Sequence, residues 1–93
     1  EVDDAGEAVT PELKLLGMRV GEALDEVDRF LDRATLAGLG EVRIVHGHGT
    51  GRLRAAVRRH VRDHPQAAEH RPGRPGEGGD GVTIVRMGSG TKS

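Results

Sequence analysis

The 93-residue chain is long enough for a single domain with a modest core, since a chain of this size buries only about 60% of its unfolded surface. It holds no cysteine, which excludes disulfides and thiolate metal sites and fits a cytosolic protein; no apolar run approaches the roughly 18 residues needed to span a membrane. The formal charge of −1 hides an uneven distribution: residues 1–12 carry five acids and no base, whereas 14 bases face 10 acids from Leu13 onward.

The chain opens on Glu1 rather than methionine, as an excised or processed piece would, and shows no basic-then-apolar signal segment. Residues 1–12 read as a flexible acidic linker. Leu13-Lys14-Leu15-Leu16, closed by Gly17, is a short apolar run that suits a buried strand. Val20, Ala23, Leu24, Val27, Phe30, Leu31 and Ala34 then follow helical spacing among charged residues, which predicts an amphipathic helix ending near Gly38 and Gly40. Val42-Arg43-Ile44-Val45 is a β-branched second strand that runs into the turn His46-Gly47-His48-Gly49-Thr50-Gly51.

A second helix starts near Gly51 or Arg52, with Thr50 as the expected N-cap. Its apolar stripe is Leu53, Ala56, Val57, His60 and Val61; Arg52, Arg54, Arg58, Arg59 and Arg62 occupy the other faces, and Pro65 stops it. Residues 66–71 form a short third strand, 71–81 a flexible glycine-rich loop, and Val82-Thr83-Ile84-Val85 a fourth strand; 88–93 read as a flexible tail. This order predicts an α/β two-layer sandwich with a four-stranded mixed sheet. The first strands pair in parallel through right-handed crossovers, the last two pair antiparallel, and both helices share one face.

Residues 42–74 hold eight arginines against Asp63 and Glu69, together with all five histidines. Such clustering marks a polyanion partner or, more plainly, an arginine-rich genome. In this topology the loops after the first two strands and before the last converge on one sheet edge. Glycines at 47, 49 and 51 let backbone approach a ligand, and the helix behind them offers free amides to a phosphate; a tight strand-to-helix turn needs the same glycines. His46 and His48 suit proton transfer or metal binding, or a hydrogen bond within the turn. His60 and His64 stand four apart, as zinc ligands on a helix do, but they fall on the apolar stripe and read as core or cap histidines. The arginine face meets no acid within 52–62, which favours phosphate contacts over a merely solvated face. With Phe30 as the sole aromatic, recognition is of backbone and shape rather than stacked bases.

Three stretches together carry a family resemblance: LKLLGMRVGEAL, the HGHGTG turn with its LRAAV helix, and GEGGDGVTIV. Across residues 13–87 the chain resembles the Smr (small MutS-related) domain, most like the version that ends the second MutS paralogue. The resemblance implies a fold like the C-terminal domain of translation initiation factor three. It also implies DNA or RNA binding with nicking endonuclease activity, often helped by a divalent cation such as magnesium or manganese. The implied partners are the rest of a dimeric MutS-type ATPase, nucleic acid and, in one reading, the ribosome, with roles in recombination suppression or ribosome rescue and a cytoplasmic location.

His46 matches the family's first HGxG histidine and is the catalytic candidate. The nucleic-acid-binding candidates are Lys14, Arg19, Arg43, Gly47, His48, Gly49, Thr50, Gly51, Arg52, Arg54 and Arg58; no metal ligands are identified. The first motif departs from the family, with Lys14 where aspartate is expected and Leu16 where arginine or histidine is expected. A protonated lysine cannot ligate a cation, and the nearest carboxylates are Glu12, Glu77 and Asp80. A nicking endonuclease, an inactive docking module and a protein-binding domain all stay open.

Overall fold

A computed structural model describes residues 10–88, so most of the acidic lead-in and nearly all of the tail lie outside the described residues. Four strands form one sheet in the order β1–β2–β4–β3: β1 Glu12–Lys14, β2 Glu41–Val45, β3 Ala67–Pro72 and β4 Val82–Met87. β1 pairs parallel with β2 and β4 pairs antiparallel with β3, as the chain order predicts; β4 also pairs antiparallel with β2, which puts it in the middle of the sheet. Two helices, α1 Val20–Leu36 and α2 Arg52–Arg62, supply the second layer.

Alternation along the strands decides which residues face the helices. Leu15, Val42, Ile44, Val85 and Met87 join Ala23, Val27, Leu31 and Ala34 of α1 and Val57 and Val61 of α2 in one core cluster. Both helices therefore cover the same face of the sheet. α1 ends where expected and for a local reason: Gly38, at φ 72°, lets its own amide reach the Thr35 carbonyl and the Leu39 amide reach Ala34. That pair of bonds is a Schellman closure.

Three details differ from the sequence-based expectation. Pairing of the first strand begins before residue 13, because Glu12 stands opposite Arg43 and the Pro11 carbonyl takes the Arg43 amide. The cap of α2 is Gly51 at φ 85°, not Thr50; the Thr50 hydroxyl accepts the Arg52 amide at 3.2 Å from one position earlier. The glycine-rich loop is folded, with 3-10 turns at Pro75–Glu77 and Gly79–Gly81. Glu77 anchors it by accepting two bonds from Arg71, at 2.8 and 3.2 Å, and one from the Arg74 amide at 2.7 Å.

That loop also explains the other face of the sheet. Val82 and Ile84 point away from the helices yet are only 4% and 3% exposed. Gly78 lies so close over Val82 that a Cβ there would stand 2.5 Å from its Cγ2. Ile84 sits in register between Arg43 and Arg71. No helix among the described residues is long and apolar enough to cross a membrane.

Candidate nucleic-acid interface

The parallel β1–α1–β2–α2 run brings two strand-to-helix loops to one edge of the sheet. Gly17 to Val20 and His46 to Arg54 line a single open cleft of about 620 Å³. The third loop arrives because β4 is antiparallel: the Gly81 carbonyl accepts the amides of His46 at 3.0 Å and Gly47 at 2.9 Å. The convergence expected from topology is therefore present.

Gly47 and Gly51 are fixed by both backbone and space. Each has positive φ, 83° and 85°, and each lies under a neighbour's side chain. A Cβ on Gly47 would stand 2.6 Å from Leu16 Cδ2, and one on Gly51 would stand 2.8 Å from Arg54 Nη2. Behind the turn, the first helical bond of α2 runs from the Ala55 amide to Gly51. The Leu53 and Arg54 amides precede it and have no protein acceptor among the described residues. Free amides at a helix start, with the positive end of its dipole, favour an anion.

The candidate cations separate into groups. Arg19 and Arg52 line the cleft, are exposed, and have no carboxylate partner among the described residues. Arg54 lines it too but shares Asp80, 3.5 Å away. Arg58 turns inward: it donates to Thr83 Oγ1 at 2.9 Å, to the Val82 carbonyl at 3.1 Å and to Asp80 Oδ1 at 3.4 Å. The acid that the helix lacks is thus supplied from another loop. Lys14 and Arg43 lie on the sheet face opposite the helices, each paired with Glu12, at 4.0 and 3.4 Å. Neither lines the cleft. Arg43 Nε is buried with no hydrogen-bond partner among the described residues.

Of the two turn histidines, His48 and Gly49 and Thr50 beside it line the cleft and are exposed, whereas His46 is 5% exposed. His46 Nδ1 is 3.2 Å from the Gly47 carbonyl, which can only accept, so Nδ1 carries the proton. Nε2 then accepts the Thr83 hydroxyl at 2.7 Å. Burial pushes the His46 pKa below the ordinary 6.5, and the charges of Arg58 and Arg54 push the same way against the Gly47 carbonyl and Asp80. Thr83, fully buried, was missed at the sequence level; its only signal was a hydroxyl at a helix-facing strand position.

No group of three His, Asp or Glu residues suited to a metal ion occurs among the described residues. The carboxylates nearest the first motif are tied to cations: Glu12 to Arg43, Glu77 to Arg71, and Asp80 to Arg54 and Arg58. This donor set does not fit a divalent cation. His60 and His64 do not supply one either. Both approach Asp28 Oδ1, at 2.7 and 3.3 Å, and His64 Nδ1 accepts the Gln66 amide at 3.1 Å. The His64 Nε2 therefore carries a proton, and the cluster pins α1 to α2.

Comparison with known proteins agrees with this architecture. The Smr domain family model matches residues 13–88. Two curated relatives called Endonuclease MutS2, from Symbiobacterium thermophilum and Thermomicrobium roseum, are 52% and 54% identical over 79 residues. Those matches cover 85% of this chain but 10% of each relative, so the chain spans about a tenth of their length. The crystal structure of the Smr domain of Thermus thermophilus MutS2 superposes with a TM-score of 0.82 at 44% identity, covering 84% of this chain and 98% of that one. YdaL, a stand-alone small MutS-related protein from Escherichia coli, gives 0.78 at 27% identity, covering 86% and 68%. Matched over most of its length by the family model and over nearly the whole of a solved Smr domain, the chain belongs to the Smr domain family.

Proposed function

We propose that this domain holds the phosphodiester backbone of nucleic acid in the glycine-turn cleft and works as the nuclease-type domain of a MutS-type parent. The observation that carries the reading is the cleft itself. It combines the amides at the start of α2, the glycines that let a phosphate approach them, and the guanidinium groups of Arg19 and Arg52, which have no carboxylate partner among the described residues. Recognition is sequence-indifferent, since phosphate contacts carry no base information and the cleft lining holds no Phe, Tyr or Trp. The names of the MutS2 relatives add support for cleavage.

The chemistry proposed uses imidazole and guanidinium groups rather than a bound cation, because the nearby carboxylates are engaged by arginines. Preorganised donors aimed at a phosphate stabilise the charge that builds up during transfer. Nicking of supercoiled plasmid and cleavage of RNA, each with magnesium, manganese or chelator, test the reading. Cleavage that persists in chelator supports it. Binding without cleavage of either polymer would leave a docking module, the reading that Lys14 in the first motif favours.

A further inference from the structure

The turn carries two histidines, and the fold gives them opposite surroundings. Both ring nitrogens of His46 are used inside the protein, by the Gly47 carbonyl and the Thr83 hydroxyl. Thr83 is held in turn by the Arg58 Nε–H at 2.9 Å, so a chain of donors runs from Arg58 through Thr83 and His46 to Gly47. His46 has neither a free lone pair nor a free N–H to offer a ligand.

His48 is exposed, lines the cleft, and its ring has no hydrogen-bond partner among the described residues. It rests on Gly81. A Cβ there would stand 2.8 Å from its Cε1, 3.0 Å from Nδ1 and 3.4 Å from Nε2. The bare backbone of Gly81 is thus a seat for one imidazole, while its carbonyl ties down the amides of His46 and Gly47.

We propose that the two histidines divide the work: His46, locked by the positioning residues Thr83 and Arg58, fixes the turn, and His48, seated on Gly81, is the imidazole that meets the scissile phosphodiester. The assignment rests on the phosphodiester reading of the cleft. In the step it implies, a hydroxyl oxygen of water or of an adjacent ribose forms its bond to phosphorus, and His48 takes the proton that oxygen loses. The phosphorus–oxygen bond to the departing nucleotide breaks. Its oxygen takes a proton from water, and the hydroxide left behind is neutralised by the proton that His48 gives up. Water is the sole co-reactant.

The test uses the whole chain and reads the imidazole nitrogens by ¹⁵N NMR during titration with a short oligodeoxynucleotide and, separately, its RNA counterpart. The proposal expects His48 ring signals to move with saturation while His46 keeps the Nδ1–H pattern, free and bound. Thr83→Val should disturb that His46 pattern, and Thr83→Ser should restore it, which a merely space-filling threonine would not do. In cleavage assays at saturating substrate His48→Ala should lose about 100-fold in rate. Movement of His46 with a silent His48, or wild-type cleavage by His48→Ala, overturns the assignment. Binding with no cleavage of either polymer overturns the proton step. Failure to bind either oligonucleotide removes the phosphodiester reading itself, and is distinguished by a His46 pattern that still responds to Thr83→Val.

Discussion

At the scale of single residues, the turn depends on atoms that are not there. Gly51 has positive φ, and the Arg54 guanidinium occupies the place of its missing side chain. Gly51→Ala should therefore cost about 1–2 kcal/mol from backbone strain alone and displace Arg54 as well; thermal melts read the first effect and oligonucleotide affinity the second. Thr83→Val leaves the buried His46 Nε2 without its donor and should cost about 1–3 kcal/mol by denaturant unfolding. The pH dependence follows from the same burial. The folded pKa of His46 lies below 6.5, so protonation favours the unfolded chain. Its contribution is complete above about 6.5 and is lost as pH falls through the lowered folded value. Urea midpoints should drop over that window, and His46→Gln should flatten the drop. Glu77, held near 2 by Arg71 and the Arg74 amide, loses its contribution between 4.5 and about 2. His46 stands out in sequence by its place before the glycines, but its burial does not. That depends on Thr83, 37 residues away in sequence.

At the scale of elements, hydrophobic spacing and β-branched runs mark both helices and the first, second and fourth strands, because such patterns are local, while the third strand, AAEHRP, carries no such pattern. What spacing could not show is which cations meet acids from elsewhere. Along α2, Arg52, Arg54 and Arg58 look equivalent, yet Asp80 and Thr83 draw Arg58 inward, whereas Arg52 meets no acid among the described residues. Arg52→Ala should accordingly weaken oligonucleotide binding several-fold more than Arg62→Ala, since Arg62 lies near the far end of the helix beside Asp63; fluorescence anisotropy compares the two. The glycine-rich loop misled for a related reason. Its composition signals backbone freedom, whereas its order comes from an ion pair six residues apart, Arg71 with Glu77. Glu77→Gln should speed amide exchange across residues 73–81 while leaving α1 protected.

Across the whole molecule, charge is divided between the two sides of the sheet. The face away from the helices pairs its cations with acids, Arg43 with Glu12, Arg71 with Glu77 and Arg86 with Glu69. The cleft edge leaves Arg19 and Arg52 open. A polyanion should therefore engage through a few contacts, with log affinity for duplex DNA falling against log salt by about 0.9 per phosphate contact. Removing Arg52 should make that slope shallower by about one contact, whereas removing Arg86 should leave it unchanged. The most direct test of the central claim is a map of backbone amide shifts as the chain is titrated with oligonucleotide at low salt. Saturating shifts should be confined to Gly17–Val20 and His46–Arg54, with Arg43, Arg71 and Arg86 still. Shifts centred on those three strand arginines, with the glycine turn unmoved, would contradict it.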